Sequence, residues 1–267
     1  MDTDGMSDIE PEPREPVITV MTANLWNGLA SDAQVIQAIR SSGADVIGLE
    51  ELNRRQANVI EDAASDLYPW ISTFGDSYEG RGVLSRLPLV SVELVHLVAD
   101  RPDVLAVVDT GSILLSVIIG HPRPQILRRG RVRFQMSSLR QILRLGRLAR
   151  ERSPAVLLGD FNMSPRHPGY NRFEKLGLTD AYVAGGAGTG RTFPIRMRVT
   201  GTERDPDLAR IISTPPLKRF DHIWHTSNIR TEQAWIGPDS GSDHASVMAR
   251  LILPGGSSRS DDDESDG

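Results

Sequence analysis

The sequence predicts an α/β fold built as a layered sandwich, and three observations carry that reading. Strand-like and helix-like segments alternate as far as Leu67, after which strands dominate. The run VLAVVDTGSILLSVIIGHP has the form of a hairpin about Asp109-Thr110-Gly111, and hairpins imply antiparallel pairs. Neither a GxGxxG stretch nor a phosphate-loop lysine motif follows any strand, which excludes a dinucleotide-binding doubly wound sheet.

Each element follows from local pattern. VITVMTANLW, from Val17 to Trp26, alternates as a strand and ends in polar Asn24. Ser31 and Asp32 can cap the amphipathic run AQVIQAIRSS, and Gly43 closes it. ADVIGLEE is a second strand ending in Glu50 and Glu51, and residues 52–67 read as a helix with Pro69 just beyond. GVLSRLPLVSVELVHL holds two strands broken at Pro88, and the hairpin strand after it ends in His121. From Gln135 to Arg152, Leu139, Ile142, Leu143, Leu145 and Leu148 recur at helical spacing with arginines between them. AVLLGDFN is the next strand, and PGYNRFEKLG is a short helix with Pro168 near its first turn. FDHIWH and HASVMARLIL are closing strands, whereas Leu178 to Pro216 is rich in Gly, Pro and Thr and lacks a period.

Composition sets outer limits. At 267 residues the chain fits one large sheet domain, expected over residues 17–254. Its longest apolar run, SILLSVIIG, is too short for a bilayer, which needs about 20 residues. The start of the chain is acidic and Pro-rich rather than basic and then apolar, so the expected location is cytoplasmic. With no cysteine, only carboxylate, amide and imidazole remain as metal ligands, which favours a hard ion. Residues 1–16 carry −5 and residues 255–267 carry −4, so the middle of this −5 chain is at +4. Both acidic ends are expected to be disordered tails. Of 30 basic residues only Lys175 and Lys218 are lysine, a bias that a GC-rich genome explains as well as chemistry does.

Apolar strands end repeatedly in the same kinds of group: Asn24, Glu50, His121, then Asp160 with Asn162. Asp221 and His222, and Asp243 and His244, stand at the closing strands. One polar strand end only solvates a loop, but carboxylates, amides and imidazoles gathered on one sheet edge are the ingredients of a hard-metal hydrolytic site.

TANLWNG, DVIGLEELN, GVLSRLPL, GHPRPQ, LLGDFNMSP, FDHIWHT and SGSDHASV, in this order from Val17 to Leu253, resemble the motifs of the endonuclease/exonuclease/phosphatase superfamily. GDFN and SDH with a DH-containing strand between them are the specific part. The resemblance implies the deoxyribonuclease I-like fold, a four-layer α/β/β/α sandwich of two packed mixed sheets with helices outside and a metal-dependent cleft at the top. It implies Mg²⁺ or Mn²⁺ near Glu50, Asn24 and Asp243. It also implies that Asp160 aligns or deprotonates the attacking water and that Asn162 holds the phosphoryl group. His244 becomes the catalytic imidazole, Asp221 the acid that orients it, and His121 matches a position that is a second catalytic histidine in some members and a phosphate-binding residue in others. Alternation along a strand lets only one of Glu50 and Glu51 face the site, and Glu50 is the expected one. The same rule places Asp160 and Asn162 on one face, turns Phe161 into the packing, and sends His222 to the opposite face. His222 and His225 are therefore expected to be structural, while His96 and His167 have no assignment.

Two departures bear on substrate. The tyrosine-containing DNA-contact stretch of abasic-site endonucleases is not evident, and KRFDHIWH stands where inositol polyphosphate phosphatases carry a CDR-containing motif. Aromatic hairpins like those of membrane-acting sphingomyelinases are not evident either. Arg123, Arg128, Arg129, Arg131 and Arg133 form a basic loop after His121 suited to phosphates or a nucleic-acid backbone, with Arg191 a weaker candidate and a solvated linker the alternative. The expected activity is phosphodiester hydrolysis, with nucleic acid the leading substrate, a small or lipid phosphoester the second, and an inactive binding module the least favoured. No obligate protein partner is evident.

Overall fold

The computed structural model describes residues 15–98, 101–128, 131–133, 135–199 and 210–255. Nearly all of both acidic tails lies outside them, as do Arg129 and the segment 200–209. The chain opens with β1 (Val17–Asn24), α1 (Asp32–Ser42), β2 (Val46–Glu50), α2 (Arg54–Ala64), β3 (Trp70–Phe74) and β4 (Arg81–Ser85). Next come β5 (Leu89–Val98), β6 (Arg101–Asp109), β7 (Leu114–Ile119), a short ribbon of β8 (Ile126–Arg128) with β9 (Arg131–Arg133), and α3 (Met136–Glu151). After β10 (Ala155–Asp160) follow α4 (Tyr170–Lys175), β11 (Leu178–Asp180) and α5 (Ala181–Gly185). A second ribbon of β12 (Arg196–Val199) with β13 (Arg210–Ser213) precedes β14 (Asp221–Thr226), β15 (Arg230–Ile236) and β16 (Val247–Ile252).

Two mixed six-stranded sheets result. One runs β15-β16-β1-β2-β4-β3 and the other β11-β14-β10-β7-β6-β5. Each has one parallel pair at its centre, β1 with β2 and β7 with β10, joined through α1 and α3 respectively. The remaining pairs are antiparallel. Residue parity explains the layers, because successive side chains leave opposite faces of a strand. Val20, Val46, Val117, Val156, Leu158 and Ala249 meet between the sheets. Met21, Ile47 and Leu49 turn the other way onto Ile39 and Ile60 of α1 and α2, and Ile118, Leu157 and Trp224 pack onto Leu145 and Phe173 of α3 and α4. Strands buried on both faces read as continuous apolar runs, which is why VLAVV and LLSVII show no clean alternation.

Capping follows the sequence. Ser31 accepts from the Gln34 N–H at the start of α1, Gly43 ends that helix at φ 67°, and Asn53 caps α2 through the Gln56 N–H. The hairpin turns at Gly111, φ 80°, whose N–H is held by Asp109. Strand β3 and everything from β11 to β13 lie where the sequence shows no strand or helix period. Among the described residues no helix is long and apolar enough to cross a membrane.

Candidate active site

Parity also carries the polar tips to one place. Asn24 continues the inter-sheet face of Val20, Glu50 that of Val46, Asp160 that of Val156 and Leu158, and Asp221 that of Ile223. Asn24 lies directly beside Glu50 in register, and Asp160 beside Asp221. Gly159 makes the meeting tight. At φ 148°, a Cβ there would stand 1.9 Å from the Gly120 carbonyl oxygen, so only glycine lets β10 run this close to the end of β7.

Above the tips is a pocket of about 250 Å³. Glu51, Asp160, Asn162, Asp243, His121 and His244 form its polar wall with Arg101, and Trp26, Tyr78, Pro124 and Phe193 form its rim. Trp26, Glu51 and Asn162, three of the four described non-glycine residues with positive φ, line it. Local strain of this kind concentrates at functional sites.

The two adjacent acids are placed opposite to expectation. Glu50 is fully buried beneath the pocket, where its Oε1 accepts from Thr22 Oγ1 at 2.8 Å and its strand pairs with Arg81, itself fully buried. Burial holds this carboxyl well above its ordinary pKa, its Oε2 has no hydrogen-bond partner among the described residues, and it does not line the pocket. Glu51 has left the strand at φ 54° and turns its carboxylate into the pocket, 3.6 Å from His121 Nε2. Alternation holds only along extended backbone, and β2 ends one residue earlier. Asn162 fails the same argument yet still reaches the pocket. At φ 48° it lies past β10, and its N–H donates to Asp160 Oδ1 at 2.8 Å in a turn.

Asp160 is the hub. Its Oδ2 accepts from Asn24 Nδ2 at 3.2 Å and from Asn162 Nδ2 at 3.4 Å, with His121 Nε2 at 3.5 Å and His244 Nε2 at 3.7 Å. Burial, helped by the charge of Asp221, raises Asp160 to about 7 against the pull of His244. His244 Nδ1 sits 2.9 Å from Asp221 Oδ2. Burial alone would lower the imidazole, but Asp221 and Asp160 override it and hold the pKa at about 10, so His244 is a cation at neutral pH. His121 is the opposite case. Burial, with Arg81 and Arg101 nearby, keeps it well below its ordinary pKa and neutral. Its Nδ1 lies 3.5 Å from Arg101 Nη1, and its Nε2 faces Glu51 and Asp160.

Asn24 spends its Oδ1 on the Trp26 N–H at 2.9 Å and turns its amide nitrogen to Asp160, so it braces the acids rather than presenting oxygen to the pocket. Phe161 packs edge-on against Phe173 as expected. His222 lies on the opposite face, 2.8 Å from the Met163 carbonyl and 3.3 Å from Asp180. His225 bonds Thr231 Oγ1, and His167 accepts from the Gly169 N–H. Arg133 and Arg191 are exposed and outside the pocket wall. Arg101 was not anticipated. It opens β6, is only 8% exposed, donates to the His121 carbonyl at 3.2 Å and leaves Nε without a partner.

The donor set suits a hard divalent ion. Asp160, Asp221 and His244 bring ligand atoms within 4.8 Å of one another, although Asp221 and His244 already satisfy each other. On the open side, burial raises Glu51, and burial together with the charge of Glu51 and Asp221 raises Asp243 to about 6. Bound positive charge would relieve that repulsion.

The profile of the Endonuclease/Exonuclease/phosphatase family matches residues 21–244. The chain belongs to that family. Its members are hydrolases acting on phosphoester bonds, and the family depends on divalent metal. Solved family structures share the fold. A family protein from Bacteroides thetaiotaomicron is 18% identical with a TM-score of 0.67, covering 90% of this chain and 99% of that one. A mannosyl-6-phosphatase from the same organism is 17% identical, TM-score 0.64, covering 88% and 100%. Sphingomyelinase C from Streptomyces griseocarneus is 19% identical, TM-score 0.61, covering 88% and 99%. No curated protein sequence matches the chain.

Proposed function

We propose that this family member is a Mg²⁺- or Mn²⁺-dependent phosphodiesterase whose reacting group sits between Asp160 and His244. The observation that carries the reading is the buried line Asp221–His244–Asp160, in which His244 is hydrogen-bonded to Asp221 at 2.9 Å and faces Asp160 at 3.7 Å. Glu51, with Asp243 beside it, would hold the ion, which when bound supplies Lewis-acid polarisation of a phosphoryl oxygen.

The chain's own groups do the rest. Asp160, near neutral pKa and braced by Asn24, accepts a proton from the attacking water and aligns it. Asn162 Nδ2, anchored on the Pro122 carbonyl, and His121 Nε2 face the same point, Asp160 Oδ2, where they would meet the non-bridging oxygens. His244, kept cationic by Asp221, stabilises the charge that builds in the in-line transition state. Arg101, in the same polar wall, adds a guanidinium.

Nucleic acid is the substrate we favour, because Trp26 and Tyr78 bring aromatic rings to the rim of a pocket that otherwise admits one phosphoryl group. The confinement of the pocket supports a small phosphoester as the second reading. The test incubates purified protein and Mg²⁺ with single- and double-stranded nucleic acid, abasic duplex, sphingomyelin, inositol phosphates and an aryl phosphodiester. No hydrolysis of any of them would remove the proposal, and exclusive hydrolysis of the small esters would select the second reading.

A further inference from the structure

Residues 123–152 contain ten arginines and a single acid, Glu151, a net charge of +9 in a chain of −5. The rest of the chain therefore carries −14. Genome bias accounts for arginine replacing lysine, but not for this segregation of sign. Among the described residues, six arginines elsewhere, including Arg40, Arg196 and Arg219, form ion pairs with carboxylates. Among the described residues, none of Arg140, Arg144, Arg147 and Arg150 on α3 does so, although Arg144 donates to the Leu97 carbonyl.

Helix α3 spends its apolar side on the core through Ile142, Leu145 and Ala149. Beyond its first residue, Met136, every fully exposed position on it is an arginine or Glu151. A helix lying on a lipid surface needs an apolar face to insert, and this one has none to spare. Arg140 to Arg150 span about 15 Å of helix axis at 1.5 Å per residue. A nucleic-acid strand carries one phosphate per 3.4 Å of axis, so about four phosphates face four guanidinium groups over that length. The helix is also tied to the pocket rim, since Gln135 Nε2 donates to the Pro124 carbonyl and Ser138 Oγ to the Arg123 carbonyl, each at 2.7 Å.

We propose that the exposed face of α3 is a nucleic-acid docking surface on which Arg140, Arg144, Arg147 and Arg150 hold a phosphodiester backbone. The surface makes no use of the pocket, so it stands or falls apart from the catalytic reading.

The test is fluorescence anisotropy of a labelled single-stranded oligodeoxynucleotide with the full chain, in chelator so that no cleavage intervenes, over a salt series. Four phosphate contacts predict that the combined Arg140→Gln, Arg144→Gln, Arg147→Gln and Arg150→Gln variant loses about 3 from the slope of log affinity against log salt. The pairs Arg140→Gln with Arg144→Gln, and Arg147→Gln with Arg150→Gln, should each lose about half of that, which guards against misfolding of the fourfold variant. Hydrolysis of a small aryl phosphodiester with Mg²⁺ should stay within about twofold in all of them, because the four side chains lie outside the pocket. Unchanged slopes in the pair variants would overturn the surface. So would capture of wild-type protein by phosphatidylserine vesicles without oligonucleotide binding, which would make the partner a membrane.

Discussion

Exchanging each of the two neighbouring acids for glutamine should produce opposite results. Glu51→Gln removes a pocket carboxylate that faces His121 at 3.6 Å. Loss of a metal-holding charge should lower kcat/KM on an aryl phosphodiester by at least about a hundredfold and raise the Mg²⁺ needed for half-maximal rate. Glu50→Gln keeps the shape and the acceptor for Thr22 Oγ1, and it replaces a carboxyl that burial already drives toward neutrality. Activity should stay within about threefold and stability within about 2 kcal/mol of wild type. The pH dependence sharpens the contrast. A carboxyl whose folded pKa lies above the unfolded value of about 4.3 contributes stability that is complete below that value and is lost as pH rises toward the folded pKa. Thermal melts of wild type against Glu50→Gln across pH 4 to 9 should therefore diverge as pH rises, with the variant holding its stability better. A crippled Glu50→Gln beside an active Glu51→Gln would refute the placement.

Other outcomes follow from the same geometry. Asp221→Asn removes a charge that raises His244, so the alkaline limb of the rate profile should move down by at least about one pH unit; an unmoved limb would separate His244 from catalysis. Gly159→Ala puts a Cβ 1.9 Å from the Gly120 oxygen at φ 148° and should cost more than about 3 kcal/mol in urea melts, and a neutral result would mean β7 and β10 do not touch as described. Chelator should abolish turnover and Mg²⁺ or Mn²⁺ restore it, whereas full activity after exhaustive metal removal would contradict the assignment of Glu51 and Asp243.

The layers were legible because inter-sheet burial forces apolar strands to end where polar groups begin. AVLLGD, DVIGLE and FDHIWH each deliver an acid to the edge that parity selects. Glu51 escapes the parity rule because β2 ends at Glu50 and the next residue turns into the pocket. A signal was present, since Asn53 caps α2 and the chain must turn between Glu50 and Asn53. Arg101 gave no comparable sign. Its place in the wall depends on β6 lying beside β7 and on the His121 carbonyl, contacts that no local pattern encodes. The ribbon of β12 and β13 was equally hidden, because exposed strands outside the two sheets owe the core no alternation.

The most direct test of the central claim compares single-turnover hydrolysis of an aryl phosphodiester, at saturating Mg²⁺, by wild type, Asp160→Asn and His244→Ala. Both variants should fold, as verified by circular dichroism, and each should show a rate reduced by at least about a hundredfold. Near-wild-type rates in either folded variant would contradict the claim.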